Sequence, residues 1–517
     1  MQLIDFFDRG ARHFPARACL VADDVTMTFE EVRRASHVLA AHLTAQGARS
    51  QTKVAVLSPN RPEALLAILG LLRAGCAWVP LNARSTREEL AHVVEMSECA
   101  WLFYHSRHAD SVAALQQAAP ALRHLVCLDA VDGPHEYMRE ILARTRDAGM
   151  ADVAAAVTDV CTIFPTGGTT GKSKGAIWTH RTWNTFIANF HAAFPLRQPP
   201  VHLIVAPMTH AAGVIAFPLM ALGATNVLID STDPAEILAR IETHRATALF
   251  LPPTLIYRLL AHPNARRHDY SSLEMLLYAA APMSVDKLKE AWEVFGPVLA
   301  QSFGQAEAPM VCTTFNADEH ARCIAAGDDA RLASCGRAGL LTQVAIMSPE
   351  GVVLEPGETG EIVVRGDLVM QGYYNNPAET AASSRNGWHR TGDVGRQDAD
   401  GYVYITDRLR DMIISGGFNI FPGEIEQVIW SHACVQDCAV IGVPDDYWGE
   451  AVTAVIEPKP GHEVGGAEII ELCKNRLGSV KAPKKVHIVQ ALPRSAVGKV
   501  LKREIRAQFW AGRARQV

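Results

Sequence analysis

Residues 164–175 read Phe-Pro-Thr-Gly-Gly-Thr-Thr-Gly-Lys-Ser-Lys-Gly, and apolar runs flank them on both sides. Glycine lets a main chain turn tightly and come close to a ligand. Successive N–H groups in such a turn form a nest for an anion. Thr166, Thr169, Thr170 and Ser173 add hydroxyls, and Lys172 and Lys174 add positive charge. The preceding Val160-Cys161-Thr162-Ile163-Phe164 reads as a buried strand. A Gly/Thr/Lys loop leaving a buried strand is a grip for phosphate. Gly171-Lys172-Ser173 also matches the tail of a Walker A loop, but that motif needs glycine at 166 and a helix opening on its lysine. Thr166 stands there instead, and Gly175-Ala176-Ile177-Trp178 reads as a second strand, with helix only after Thr179.

Around this loop, strand and helix patterns alternate. Phe29 begins an amphipathic helix running to about Gln46, Lys53–Leu57 is a strand, and Ala64–Ala74 is a helix stopped by Gly75. From 201 to 300, strands are expected near 201–206, 224–229, 247–251, 275–280 and 298–301. Alternation of this kind implies parallel sheets covered by helices. From about 335 to 406, Gly, Pro and Asp punctuate short alternating runs, which predicts a small antiparallel sheet. Beyond Asp407 comes an α+β module. The expected fold class is α/β: residues 1–406 form a large N-terminal domain of two helix-covered sheets plus a small antiparallel β subdomain. Residues 407–517 form a small α+β domain.

The chain has 517 residues, 49% hydrophobic and 20% charged, with a net charge of −6. That balance argues against a general nucleic-acid binder. Positive charge gathers at the end, where Lys474 to Val517 holds twelve Lys/Arg and one acid, Glu504. This is either a solvated face or a surface that meets phosphates. Eleven cysteines are scattered without CxxC or zinc spacing, which fits free thiols in a reducing cytoplasm. The N-terminus has early acids and no apolar core, unlike a signal peptide. The apolar stretch 203–229 is broken by Pro207, His210 and Pro218, so strand–loop–helix–strand is expected rather than a membrane span.

Several further segments suit a nucleotide and a carboxylate. Tyr278-Ala279-Ala280-Ala281-Pro282 is a small-residue run against which a flat ring can lie. Ser302-Phe303-Gly304-Gln305-Ala306-Glu307 follows a strand and ends on a carboxylate suited to Mg²⁺. Thr391-Gly392-Asp393 reads as a turn presenting a carboxylate to a ribose diol. Asp407-Arg408-Leu409-Arg410-Asp411 is a charged knot, and Gly498-Lys499 sits in a short turn before a basic helix.

In this order and spacing, the motifs resemble those of the adenylate-forming superfamily: acyl- and aryl-CoA synthetases, firefly luciferase and peptide-synthetase adenylation domains. The resemblance spans about residues 5–505. It is strongest to bacterial acid–CoA ligases of the 4-chlorobenzoate and fatty-acid types, in Asp411-Met-Ile-Ile-Ser-Gly-Gly-Phe-Asn-Ile420 and Tyr447-Trp448-Gly449-Glu450. It implies ATP, Mg²⁺ and CoA as co-reactants and a C-terminal domain that rotates between half-reactions. The 166–174 loop (Thr166, Gly167, Gly168, Thr169, Thr170, Gly171, Lys172, Lys174) would cover the phosphates. Ala280, Ala281, Pro282, Ser302, Phe303, Gly304, Gln305 and Ala306 would hold AMP, with Asp393 and Arg408 on the ribose. Lys499, Glu307, His210 and Thr166 would be catalytic, Glu307 binding the metal and His210 gating the path between acid and CoA. Arg410 would be the hinge. Ala211, Ala212, Gly213, Tyr278, Ala279 and Met310 would line the acid pocket. Gly416, Gly417, Trp448, Arg84 and Lys484, with Lys481, would meet CoA.

One position departs from the family pattern: threonine usually precedes the motif glutamate, and here Ala306 does. One donor to the α-phosphate is lost, worth on the order of 1–3 kcal/mol, unless Gln305 or the loop hydroxyls replace it. The resemblance implies an acid–CoA ligase for a medium- or long-chain, aromatic or alicyclic acid. Two alternatives stand beside it: an acyl-AMP ligase serving a carrier protein, and a non-catalytic acyl-adenylate sensor. Neither nucleic acid nor an integral membrane partner is expected; a homodimer is compatible with the sequence.

Overall fold

The structure is a computed structural model that describes residues 1–23, 25–144, 153–166, 173–197, 199–494 and 500–510. Among these residues the strands form four sheets. One has nine strands, in the order Arg337–Ala338, Ala308–Phe315, Leu299–Gln305, Met275–Tyr278, Ala248–Leu251, Val201–Ile204, Thr225–Leu228, Ala18–Ala22 and Val25–Thr28. Its interior pairings from Leu299–Gln305 across to Ala18–Ala22 are parallel. A second sheet of seven strands runs from Glu136–Tyr137 through Lys53–Leu57 and Ala77–Leu81 to Val160–Pro165 and Gly175–Thr179.

The two large sheets share one core. Val54, Trp78 and Phe103 of the seven-stranded sheet pack into the same cluster as Ile204, Phe250 and Leu277 of the nine-stranded one. Helices Pro62–Arg73, His180–Ala193 and Ala211–Ala221 fill the space between them. Alternate residues face the other way. Leu203, Leu249 and Leu276 meet helices Pro234–Thr243, Pro253–Leu260 and Val285–Phe295 in a second cluster. Ala55, Leu57 and Leu102 meet helices Arg87–Met96 and Ala109–Ala118 in a third. Helix starts follow local chemistry. Thr28 and Glu31 form a reciprocal capping box, and the Thr179 hydroxyl accepts from Thr182 at the start of the helix that follows the loop hairpin.

A small antiparallel sheet of Gln343–Met347, Thr359–Arg365, Ser384–Arg385, Trp388–Gln397 and Val403–Arg408 follows. After a 3-10 turn at Leu409–Asp411 comes the last sheet, built around the long hairpin Val435–Asp445/Gly449–Pro458. Helices Pro422–Trp430 and Gly466–Lys481 cover one face, and Lys502–Phe509 packs Ile505 on the other. The apolar 203–229 stretch is strand, loop, helix and strand, and no helix among the described residues is long and apolar enough to cross a membrane. The eleven cysteines are free.

Candidate active site

The phosphate-loop segment joins two antiparallel neighbours, with Pro165 opposite Gly175, so it closes a hairpin. The neck is pinned several times. Thr166 N–H donates to the Lys174 carbonyl at 2.7 Å, and Lys174 N–H to the Thr166 hydroxyl at 3.2 Å. The Ser173 hydroxyl donates to the Thr166 carbonyl at 2.7 Å, and His92 Nε2 to the Ser173 carbonyl at 2.8 Å. The described residues after the loop run as strand Gly175–Thr179, with helix only from His180, where a Walker A loop would lead directly into a helix. Gly167, Gly168, Thr169, Thr170, Gly171 and Lys172 lie outside the described residues. Lys174 is already engaged: its ammonium is 2.7 Å from Glu379 and 4.4 Å from the centre of the Tyr373 ring.

Ser302–Glu307 is less a loop than the sequence suggests. The strand continues through Gln305, Ala306 and Glu307 make a two-residue turn, and Ala308 begins the return strand opposite Gln305. Gly304 is required by closeness, since a Cβ there would stand 2.4 Å from Met310 N. Four ties from distant segments hold this turn. Trp178 Nε1 donates to the Ala306 carbonyl at 2.6 Å, and Met370 N–H to the Glu307 carbonyl at 2.8 Å. The Tyr373 hydroxyl donates to Glu307 Oε1 at 2.6 Å. Gln305 Nε2 is 3.2 Å from His389 Nε2. Burial lowers the His389 pKa, keeping the ring neutral and its Nε2 free to accept from the Gln305 amide. The buried Ser302 hydroxyl makes no hydrogen bond among the described residues. Ala280, beside Ala281 and Pro282, holds φ +74°, a strained value for a residue with a side chain.

Thr391-Gly392-Asp393 is a correction to the turn expected from its composition. It lies inside strand Trp388–Gln397, where the register with Thr359–Arg365 slips between Glu361 and Val363. Gly392, at φ +70°, takes up the resulting bulge. Sheet pairing on both sides overrode the turn chemistry of the tripeptide. The bulged strand places Asp393 opposite Arg408, with Nε 2.6 Å from the carboxylate. The neighbouring Asp407 carboxylate accepts from Arg408 N–H and from Gly423 N–H, both at 2.6 Å, and its burial pushes its pKa up.

His210 precedes helix Ala211–Ala221 as its N-cap residue. Its Nδ1 donates to the Thr209 carbonyl at 2.8 Å, which leaves Nε2 to accept from Asn82 Nδ2 at 3.4 Å. Burial lowers its pKa, consistent with that neutral tautomer. Phe164 lies between His210 (ring centres 5.9 Å) and Trp178 (4.5 Å, stacked), so an aromatic row joins the gate candidate to the acidic turn. Asn60 fixes the segment before His210: Nδ2 donates to the carbonyls of Val205, Ala206 and Ile229, and Oδ1 accepts from Met208 N–H. Ala211, Ala212, Ala279 and Met310 all border the shared core. At Gly213 a Cβ would stand 1.7 Å from the Met208 carbonyl oxygen. Tyr278 is a second correction. Strand alternation turns it to the opposite face of the sheet, where its hydroxyl donates to His320 Nε2 at 2.9 Å, so its side chain cannot line a pocket beside Ala212.

In the C-terminal domain a Cβ on Gly416 would stand 2.8 Å from the Trp448 ring, and Lys484 lies 5.2 Å from that ring's centre. Gly417 and Tyr447 are exposed beside them. Arg84 is exposed on the large domain, its N–H donating to Asn82 Oδ1 at 3.0 Å. The basic tail is partly spent internally: Lys481 pairs with Glu424, and Lys502 with Glu426 at 2.8 Å. Arg410 sits in the 3-10 turn between the last two sheets, and burial lowers its pKa. Lys499 lies outside the described residues. A surface hollow at Pro195, Arg197, Glu274 and Val298 shares no residue with these groups.

Sequence comparison agrees with this architecture. Residues 7–374 match the family model of the AMP-binding enzymes, and residues 424–499 that of the AMP-binding enzyme C-terminal domain. The chain belongs to the AMP-binding, adenylate-forming enzyme superfamily, in its acyl- and aryl-CoA ligase branch. It is 36% identical to the medium/long-chain-fatty-acid–CoA ligase FadD8 of Mycobacterium tuberculosis, over 92% of this chain and 84% of that one. It is also 36% identical to a feruloyl-CoA synthase of Amycolatopsis, over 97% and 98%. Among solved structures, the amide bond synthetase McbA of Marinactinospora thermotolerans is 28% identical, with TM-score 0.89 over 98% and 100% of the two chains. The chemistry of this branch is two-step activation of a carboxylic acid through an acyl-adenylate.

Proposed function

We propose that the protein is an ATP-dependent acid–CoA ligase. The observation that carries this reading is the set of ties that draw the phosphate-loop neck, the Glu307 turn and the Asp393 strand together. A free carboxylate is a poor acylating agent because its leaving group would be oxide. Its attack on the α-phosphate of ATP makes an acyl-adenylate, expels pyrophosphate and turns the leaving group into AMP. Thr166 and the hairpin hydroxyls hold phosphate oxygens, Asp393 and Arg408 hold the ribose, and the Ala280–Pro282 segment flanks adenine. Lys499 bridges carboxylate and phosphate oxygens and offsets the charge that gathers as they react. This is catalysis by positioning and electrostatics.

Glu307 fits a magnesium site: it offers one carboxylate oxygen beyond the one bound by Tyr373, and Mg²⁺ with a nucleotide takes few protein carboxylates. Among the described residues no cluster of three or more acids, His or Cys is arranged to hold a metal alone. Bound there, the ion would neutralise phosphate charge.

In the second half-reaction the C-terminal domain turns about Arg410 and removes Lys499. A CoA thiolate then reaches the adenylate past His210 and expels AMP. Gly416 and Gly417 face the pantetheine, and Trp448, Lys484 and Arg84 the nucleotide end. Small residues at 211, 212 and 279 leave room for a medium- or long-chain, aromatic or alicyclic acid, and the relatives' fatty-acid and feruloyl substrates span that range. Unpaired cysteines suit a reducing cytoplasm.

The test is product analysis with MgATP, CoA and a panel of such acids. AMP, pyrophosphate and an acyl-CoA are expected, and ADP with phosphate would overturn the reading. Likeness to an amide bond synthetase gives a second acceptor, an amine. Acid-dependent pyrophosphate exchange with no use of free CoA would favour that acceptor or a carrier protein, and absence of exchange would favour a sensor.

A further inference from the structure

Tyr373 joins two parts of the site that lie far apart in the chain. Its hydroxyl, 66 residues away in sequence, donates to Glu307 Oε1 at 2.6 Å, in the range of a charge-assisted bond. Its ring carries the Lys174 ammonium at 4.4 Å. Its main chain forms a bridge with Ala176, just past the hairpin neck, and its N–H donates to the Thr380 hydroxyl at 2.9 Å. The residue is only 7% exposed. The other Glu307 oxygen makes no hydrogen bond among the described residues.

We propose that Tyr373 is a positioning residue for adenylate formation: its hydroxyl aims the Glu307 carboxylate at a divalent cation, and its ring seats Lys174 at the base of the phosphate loop. The proposal rests on Glu307 as the metal carboxylate of the acid-activating reading. Mg²⁺ demands near-ideal octahedral geometry, so a single carboxylate must present one oxygen in one direction. A hydrogen bond to the second oxygen sets that direction. The same ring ties the loop neck to the metal side chain, so displacement of one is felt by the other.

Two variants separate the roles. Tyr373→Phe keeps the ring and removes the hydroxyl; Tyr373→Leu removes both. The probe is Mn²⁺ with ATP and no acid, read by electron paramagnetic resonance, so binding is measured without turnover. Tyr373→Phe is expected to raise the apparent Mn²⁺ dissociation constant about tenfold, to slow adenylation, and to spare thioester formation from a supplied acyl-adenylate. Glu307→Gln should weaken Mn²⁺ binding, and adding Tyr373→Phe to it should weaken it no further. Tyr373→Leu should add a rise in the Michaelis constant for ATP. Unchanged Mn²⁺ binding in a folded Tyr373→Phe protein overturns the proposal. So do additive losses with Glu307→Gln, or equal loss in both half-reactions with a lowered melting temperature. If the wild-type protein forms no adenylate, the acid-activating reading itself fails; if it does and Tyr373→Phe leaves Mn²⁺ binding unmoved, only the role of Tyr373 fails.

Discussion

Asp393 and Arg408 face one another across a single ladder of the small sheet, the guanidinium Nε 2.6 Å from a carboxylate that is 3% exposed. Each is the other's counter-charge before any nucleotide arrives. Arg408→Ala is therefore expected to cost about 1–3 kcal/mol of stability as well as nucleotide affinity. Arg408→Lys should recover the first better than the second, because an ammonium cannot reproduce the fork of a guanidinium. Urea unfolding and AMP binding by calorimetry check the two effects separately. Loss of stability with unchanged AMP affinity would make the pair a purely structural bridge.

Lys499→Ala should cut adenylate formation about 10²–10³-fold, the scale for removing one charge-stabilising donor. Thioester formation from a supplied acyl-adenylate should survive. Rapid-quench measurement of each half-reaction checks this, and equal losses would assign the lysine to folding.

The absent hydroxyl at Ala306 gives a paired prediction. The Gln305 amide, one residue away in the chain and held by His389, is the candidate substitute donor. If Gln305 has taken over the phosphate contact, Gln305→Ala should slow adenylation about tenfold or more, and Ala306→Thr should change little. Should Ala306→Thr instead raise the rate or lower the Michaelis constant for ATP, the hydroxyl is a missing part and Gln305 is not its replacement. Steady-state kinetics of pyrophosphate exchange distinguishes the two.

Arg410 follows the last strand of the small sheet and precedes Ile413–Ser415 of the C-terminal one. Arg410→Pro would fix φ near −65° and restrict Leu409. A pivot must sample two backbone states, so one half-reaction should remain near wild type while thioester formation falls. Wild-type rates in both, in a folded variant, would place the pivot elsewhere.

Two imidazoles away from the site add to the pH dependence of stability. Burial holds His202 and His320 down to about 4 when folded, against about 6.5 unfolded. Between those values the unfolded chain binds more protons, so stability rises with pH from about 4 to 6.5 and is lost as pH falls through that window. Each contributes on the order of 3 kcal/mol, fully present above pH 6.5. His320 is paired with the Tyr278 hydroxyl and the Asn316 carbonyl. His320→Gln should flatten the slope of urea midpoints between pH 4.5 and 7; an unchanged slope would refute this assignment.

The parts legible in the sequence are those written in adjacent residues. The two strands around the loop are near-continuous apolar runs, and the helix after Thr179 announces itself by its cap. The parts that were hidden depend on pairing at a distance. Thr391-Gly392-Asp393 has turn composition, and only its flanking ladders make it a bulge. Tyr278 lies in a strand buried on both faces, where Leu276, Leu277 and Tyr278 are all apolar and period two leaves no trace. Tyr373, Trp178, His389 and Asn60 act through partners dozens of residues away, so no local pattern singles them out. The nearest signal was the punctuation around Gly372-Tyr373-Tyr374-Asn375-Asn376, which puts an aromatic where a loop has no local use for one.

Gly213 has a Met208 carbonyl where its side chain would begin. Any larger residue there must push the Met208–His210 segment, which Asn60 bolts to the neighbouring sheet. In the acid pocket proposed above, divergence toward new acids is thus closed at this position and open at its neighbours. A lineage exploring substrates would tinker with Ala211, Ala279 and Met310 and inherit 213 unchanged, so directed evolution aimed at selectivity should leave codon 213 out of its libraries.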